Sequence, residues 1–315
     1  MHPRLFILAA YCIALAPAAS AQPAQSVRSA AVGEHIDWSF ERDSTPVRYR
    51  VGEVELTIRG ERDSDFPDLV RPVLTVALPG HAPVQAHGSH TSEGFNHRVT
   101  VGRWDPERPY VLFQSFSGGA HCCNQMQVVY PENGRLRLVD LGEWDGGYWD
   151  ELPTDRNGDG LIDFVFVDNA FLYAFASYAE SWAPPVIYNV VDGEPVDVSF
   201  RFSRDPGFRS LYEEEMSRAR QACLHPEDGA SRNGACAAYV ASAARVGRFD
   251  AAWAEMLQAY DRNSSWPLPA DCRVALVDHQ CPEGQSIEHA NYPDALRAFL
   301  IQQGYLVRSR AVRFQ

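Results

Sequence analysis

Apolar and polar positions change their spacing about two thirds of the way along this chain. Over residues 33–202, short runs rich in valine, isoleucine and aromatic residues alternate with glycine, proline, asparagine and aspartate. This pattern is typical of β-strands joined by tight turns, and segments such as 131–134 favour antiparallel hairpins. We predict strands over residues 47–58, 73–78, 98–103, 110–116, 125–130, 135–141, 163–167 and 186–191.

Helical spacing replaces strand spacing over residues 203–315. Leu211, Tyr212 and Met216 recur on one helical face. A run of small residues over 237–246 ends at Gly247, a residue that helix C-termini favour. Residues 249–260 then carry another apolar stripe, so we predict a helical hairpin.

Together the two patterns predict an α+β multidomain protein. Its N-terminal domain, residues 33–202, would be a mainly antiparallel β domain, built as a sandwich or as a propeller blade. Its C-terminal domain, residues 203–315, would be a small disulfide-stapled α-helical domain. About 170 residues suffice for one hydrophobic core but are short for a seven-bladed propeller.

Residues 1–21 have the pattern of a secretory signal peptide. Arg4 precedes an apolar stretch, and Ala19-Ser20-Ala21 is a small-residue cleavage site. Residues 22–32 are small and polar, which predicts a flexible tether. No later stretch reaches the roughly 20 apolar residues that span a bilayer, so we expect a periplasmic or secreted protein without a membrane span. The formal net charge of −13 disfavours nucleic acid as a partner.

Cysteine usage agrees with an oxidising compartment. Of the seven cysteines, Cys12 lies in the predicted signal peptide, which leaves an even number and favours disulfides. Cys223, Cys236, Cys272 and Cys281 lie in the predicted helical domain, where two bridges would stabilise a small core. Four cysteines permit three pairings, and the sequence does not choose among them.

Residues 117–124 place His121 beside Cys122 and Cys123 after a diglycine turn. One interpretation is a disulfide between the two neighbours that locks the turn. A second is a catalytic thiol with His121 as its base, although neighbouring side chains in an extended chain point to opposite faces. A third is a soft-metal site that also uses Met126.

Four further histidines follow one another in a polar stretch. They could gather a transition metal, or they could belong to a surface loop, and their irregular spacing leaves both interpretations open. These residues are His81, His87, His90 and His97.

Residues 155–163 alternate short oxygen-bearing side chains in the manner of a calcium loop. Such residues also form turns without a metal, but carboxylates held close together repel one another in the absence of a cation. We therefore predict a bound Ca²⁺. Its expected oxygen donors are the side chains of Asp155, Asn157, Asp159 and Asp163 and the backbone carbonyl of Leu161.

The loop does not continue as an EF-hand. An EF-hand ends its loop in glutamate, where this chain has Phe166. The D-x-N-x-D-G-x-x-D pattern followed by an apolar strand resembles the calcium loops of FG-GAP and VCBS propeller repeats, over about residues 110–198, and implies a loop held between strands. Residues near 237–260 are similar to a single tetratricopeptide hairpin in the positions of their glycine, aromatic and alanine residues.

Trp144 and Trp149 precede the calcium loop, where they could stack on sugar rings or pack in the core. The chain has no G-x-S-x-G, H-E-x-x-H or P-loop motif. We therefore predict a non-catalytic calcium-binding protein with a structural Ca²⁺ site, whose partner is a protein or a cell-envelope glycan. The alternative is an extracytoplasmic enzyme that uses His121 with Cys122 or Cys123, or a transition-metal site.

Overall fold

Three stacked sheets form the N-terminal part of the molecule. The computed structural model describes residues 26–105, 108–146, 149–202, 205–227, 231–274, 277 and 281–307. The strands of this part are β1 Val27–Ser29, β2 His35–Trp38, β3 Val47–Val51, β4 Val54–Arg62, β5 Leu69–Ala77, β6 Val84–His87, β7 Thr91–Ser92, β8 His97–Asp105, β9 Arg108–Phe116, β10 Asn124–Glu132, β11 Arg135–Trp144, β12 Phe164–Val167, β13 Pro185–Val191 and β14 Glu194–Asp197.

Strand order defines an outer, a central and a small sheet. The outer sheet has the order β1-β3-β4-β5-β6, with β7 also paired to β5, and the central sheet has the order β11-β10-β9-β8-β2. The small sheet has the order β12-β13-β14. Neighbouring strands are antiparallel, apart from β1, which runs parallel to β3. A mainly antiparallel β domain is thus confirmed.

The outer sheet is buried on one face, because side chains alternate between the two faces along each strand. Along β4, Val54, Leu56 and Ile58 are buried while the residues between them are not, as the two-residue period of a strand requires. These side chains pack against Trp38 and Phe113 of the central sheet. The outer and central sheets therefore form a sandwich.

The central sheet is buried on both faces. In β9 every residue from position 109 to position 115 is buried, as expected for a strand that is covered on two sides. Phe113 faces the outer sheet, whereas Leu112 faces Phe164 and Phe166 of β12. The small sheet thus forms a third layer.

Helices cover the far side of the small sheet and continue as a helical C-terminal region. They are α1 Ser199–Phe202, α2 Pro206–Leu224, α3 Asn233–Arg245, α4 Phe249–Ala259 and α5 Tyr292–Gln302, with a two-stranded sheet of β15 Asp271–Cys272 and β16 Ser286–Ile287. Ile187 of β13 packs on Phe208 and Tyr212 of α2. Asp205 accepts a hydrogen bond from the Gly207 N–H and so caps the start of α2.

The helical region is stapled as predicted. Disulfides join Cys223 to Cys236 and Cys272 to Cys281, and the first of them ties α2 to α3. In the predicted hairpin of α3 and α4, Gly247 has a φ of 75°, a conformation that costs glycine little. Within the described residues, no helix is long and apolar enough to cross a membrane.

Some of the predicted segments lie outside the described residues or are divided between elements of the structure. Residues 1–21 lie outside the described residues, and the described part of the predicted tether contains β1, whose backbone pairs with β3. The predicted strand 47–58 is a hairpin of β3 and β4, because Gly52 turns the chain with a φ of 60°. Residues 110–198, which resemble one propeller repeat, are divided between the central sheet and the small sheet.

Burial of Phe164 between the central and small sheets yields a stability prediction. Phe164 is completely buried, whereas Val167 on the same strand is 44% exposed. We expect Phe164→Ala to lower the free energy of unfolding by about 3–5 kcal/mol, because it removes apolar contacts and leaves a cavity. Val167→Ala should change it by less than about 0.5 kcal/mol. Urea denaturation followed by circular dichroism measures both, and equal losses would contradict the three-layer arrangement.

Candidate functional site

The predicted calcium loop connects the central sheet to the small sheet. Asp155 accepts hydrogen bonds from the backbone N–H groups of Gly158 at 2.7 Å and Gly160 at 2.8 Å. Asp159 accepts one from the N–H of Leu161 at 2.9 Å, and the Asn157 amide reaches Asp159 at 3.2 Å. These bonds curl the loop around its own acidic side chains.

Asp163 closes the loop from inside the protein. Only 1% of its surface is exposed, and its carboxylate accepts hydrogen bonds from the Arg156 N–H and from the Asn189 side-chain amide, both at 2.7 Å. Burial raises the pKa of Asp163, an effect that these hydrogen bonds oppose. Asn189 lies on β13, so the loop is fixed to the small sheet by a residue that sequence reasoning did not find.

The histidines of residues 81–97 lie in different environments. His97 is buried against Trp38 and contacts the Ser115 hydroxyl at 3.1 Å. His87 and His90 lie at the surface near Glu61 and Asp63 respectively. In the described part of the chain, no group of three or more His, Cys, Asp or Glu residues is arranged to hold a metal ion.

His121 is the centre of a hydrogen-bonded network that the fold assembles. Strand register pairs Asn124 with both Phe116 and Trp144, so the turn carrying His121 lies beside Asp145 at one corner of the central sheet. The His121 Nδ1 is 3.1 Å from the Asp145 carboxylate. Since a carboxylate only accepts hydrogen bonds, a neutral His121 carries its proton on Nδ1 and accepts on Nε2.

Two tyrosines complete this network. The hydroxyl of Tyr173 lies 2.8 Å from the His121 Nε2. The ring of Tyr178 stacks on the His121 ring at 3.6 Å between centroids, and its hydroxyl donates to Asp145 at 2.9 Å. Burial and the Asp145 carboxylate raise the pKa of Tyr178 to about 12. Tyr178 therefore remains a hydrogen-bond donor at neutral pH.

Cys122 and Cys123 form a disulfide with each other. The backbone N–H of Cys123 donates to the Ser117 hydroxyl at 2.8 Å, and the carbonyl of His121 accepts from the Gly146 N–H at 3.2 Å. This arrangement corresponds to the turn-locking interpretation. With both sulfurs in the disulfide, the structure provides no thiol at this position for nucleophilic attack or for a soft metal.

A cleft of about 500 Å³ opens beside Asp145. One wall carries Trp144, which stacks on Phe166 at 3.9 Å between ring centroids, and Trp149, which contacts Phe166 at 4.7 Å. Helix α2 also lines the cleft and contributes Glu215 and Arg218. Burial raises the pKa of Glu215 to about 7, and the Arg218 guanidinium, 3.3 Å away, partly opposes this rise.

Comparisons with known proteins place this chain near two curated relatives. Residues 212–304 match the family model of the sll0997 C-terminal domain. The chain is 40% identical over 209 residues to the probable thylakoid lumen protein sll0997 of Synechocystis, an alignment that covers 64% of this chain and 58% of the relative. It is 34% identical over 277 residues to the uncharacterized protein y4bJ of Sinorhizobium fredii, covering 85% of this chain and 42% of the relative.

The chain therefore spans about half the length of the curated relatives that it matches. The matched C-terminal family region runs from within α2 to just beyond α5. No solved structure is significantly similar to this chain.

Sequence reasoning found part of this site. It singled out His121 and the tryptophans, but Tyr173 and Tyr178 lie in an apolar stretch without a recognisable motif. Their place beside His121 arises because the segment between β12 and β13, with short 3₁₀ helices Asn169–Phe171 and Tyr178–Glu180, folds back over the corner of the central sheet. Helical spacing alone gave no indication that Glu215 faces a cleft.

Burial of His97 predicts how the stability of the protein depends on pH. Burial lowers the pKa of His97 from 6.5 to about 4, so between these values the unfolded chain binds the proton and the folded chain does not. Stability should fall by about 3 kcal/mol as the pH drops through this range. The pH dependence of stability should be smaller in His97→Gln than in the parent protein, whereas the control His81→Gln should retain the parent's pH dependence. Denaturant unfolding at pH 7 and pH 4.5 measures the difference, and identical profiles in all three proteins would contradict the assignment.

Proposed function

We propose that this chain is an extracytoplasmic protein that binds a cell-envelope glycan in the cleft beside Asp145. The observation that carries the proposal is that Trp144 and Trp149 line the same cleft as Glu215 and Arg218. Aromatic rings pack against the apolar faces of sugars, and a few polar groups orient the ligand through its hydroxyls. The cleft combines these two kinds of surface.

The size of the cleft favours a glycan over a protein partner. Its volume of about 500 Å³ lies in the range of small-ligand pockets, roughly 300–1,000 Å³. Protein interfaces of ordinary strength instead bury roughly 800 Å² on each partner. A chain end or a short run of sugars fits the cleft better than a folded surface.

Three observations support a location outside the cytoplasm. Residues 1–21 have the pattern of a secretory signal peptide. The relative from Synechocystis is described as a probable thylakoid lumen protein, and the lumen is an extracytoplasmic compartment. Disulfides in the helical region agree with an oxidising environment.

The loop at residues 155–163 is proposed to hold a structural Ca²⁺. Its three carboxylates, one amide oxygen and one carbonyl are of the kind that hard cations prefer. Since the described residues contain no group of three such side chains already arranged around a metal ion, binding would have to draw these donors together. Among the described residues, none of these carboxylates forms an ion pair with an Arg or His side chain, so the loop has charge for a cation to neutralise. The ion would hold the connection between the central and small sheets, which line the cleft.

Calcium binding is tested by calorimetry with and without a chelator. We expect millimolar Ca²⁺ to raise the unfolding temperature, with a stabilisation of about 2.7 kcal/mol at a hundredfold excess over Kd. Asp159→Asn removes one carboxylate charge and should abolish most of the shift. Asp192→Asn, in the exposed turn before β14, is the matched control and should leave it intact. An unchanged transition in EDTA, with no bound calcium by elemental analysis, would refute the proposal.

Glycan binding is tested by titration calorimetry with chito-oligosaccharides. We expect Trp149→Ala to weaken binding about tenfold or more, because it removes stacking worth about 1.4 kcal/mol. Glu214→Gln, which neutralises an exposed acid at the rim of the cleft, should weaken binding less. The control Phe66→Ala changes an aromatic side chain that is 65% exposed in the connection between β4 and β5 and should bind as the parent protein does. Equal affinities in all variants would place any glycan site elsewhere.

A further inference from the structure

We infer that Tyr173, His121 and Asp145 form a nucleophilic triad in which the Tyr173 hydroxyl attacks carboxylic esters. The Tyr173 oxygen lies 2.8 Å from the His121 Nε2, and the His121 Nδ1 lies 3.1 Å from Asp145. A nucleophile in contact with a base that a third group orients is the arrangement on which covalent catalysis by hydroxyl groups depends. This activity goes beyond the proposed glycan binding and does not involve the cysteines.

The backbone of Tyr173 supports this inference. Tyr173 has a φ of 62°, a left-handed conformation that is rare for a bulky residue. Its N–H donates to the Ser181 hydroxyl at 3.0 Å, and its carbonyl accepts from the Trp266 indole at 3.0 Å. Bonds from two separate segments thus hold the unusual conformation. Such over-determined outliers concentrate at functional sites.

Exposure distinguishes Tyr173 from a packing residue. Its side chain remains 49% exposed, so burial of the ring does not offset the cost of its backbone conformation. Instead, this backbone conformation brings the Tyr173 hydroxyl into contact with His121. A substrate can approach the same hydroxyl from solvent.

The other members of the triad are held more firmly. The Asp145 side chain is 8% exposed and accepts hydrogen bonds from the Tyr178 hydroxyl and the Gly146 N–H, at 2.9 Å and 2.8 Å. The stacked Tyr178 ring restricts rotation of the His121 ring. Asp145 is therefore a positioning residue that keeps the His121 Nε2 free of a proton and directed at Tyr173.

Local charge selects a neutral electrophile. Asp145 lies within the network, and the adjoining cleft carries Glu214 and the Glu215–Arg218 pair, so its charge is negative on balance and an anionic phosphodiester would meet like charge. An ester carbonyl carries no net charge. In the attack, the Tyr173 oxygen bonds to the carbonyl carbon while its proton passes to His121. The bond from the carbonyl carbon to the alcohol oxygen then breaks, and the alcohol leaves with that proton. In the second step water, deprotonated by His121, bonds to the acyl carbon, the bond to the Tyr173 oxygen breaks, and that oxygen takes the proton back from His121 as the carboxylic acid leaves.

Acetylation by p-nitrophenyl acetate, followed by peptide mass spectrometry on the full chain, tests the triad. We expect one acetyl group, on Tyr173, and a release of p-nitrophenol that falls about 100-fold in Tyr173→Phe and in His121→Gln. Tyr49→Phe is the control, because Tyr49 is paired with Arg28 rather than with a histidine. Thermal unfolding of each variant confirms that it is folded.

The pH dependence of the acetylation rate distinguishes a catalytic triad from a network that only stabilises the fold. In the parent protein the acetylation rate should rise with pH through a single inflection, which His121→Gln removes and Asp145→Asn displaces. Equal acetylation of Tyr49 and Tyr173, or a rate unchanged in His121→Gln, would overturn the inference. Chito-oligosaccharide affinity measured in Tyr173→Phe tells the two proposals apart, since the glycan proposal predicts that it is retained when acetylation is lost.

Discussion

Burial of the central sheet on both faces is the constraint on which the rest of this molecule depends. The apolar run of β9 lies between two layers, with Phe113 against the outer sheet and Leu112 against the small sheet. Because side chains alternate along a strand, a shift of one residue would exchange these two sets. Packing on both sides therefore fixes the register of β9 with β10 and of β10 with β11. That register is what brings the His121 turn beside Asp145.

The second half of the chain supplies the remaining residues of the site beside the central sheet. Phe171 and Phe175, in the segment between β12 and β13, pack into the core of the helical region with α3 and α5. Anchored in this way, the segment presents Tyr173 and Tyr178 to His121. Trp266, which follows α4, holds the Tyr173 carbonyl. The β domain and the helical region are thus joined at the site itself.

Local features of this protein could be predicted from the sequence, and contacts between distant segments could not. The strands over 110–116 and 125–130 and the hairpin around Gly247 were found because period and turn chemistry are local. The short strands β1 and β14 were missed, since three or four partly exposed residues carry little pattern. The calcium loop is a candidate because its donors lie within nine consecutive positions. Tyr173 lies 52 residues from His121, and their contact requires the whole register of the central sheet.

Glycan binding in the cleft beside Asp145 can be followed at the indole N–H resonances of the tryptophans, which report on the proposed stacking itself. In a titration with chito-oligosaccharides followed by ¹H–¹⁵N NMR, we expect saturable shifts of the Trp144 and Trp149 indoles. The indole of Trp38, buried between the outer and central sheets, should not move. No shift at either cleft tryptophan at saturating ligand, or shifts confined to other tryptophans, would contradict glycan binding in this cleft.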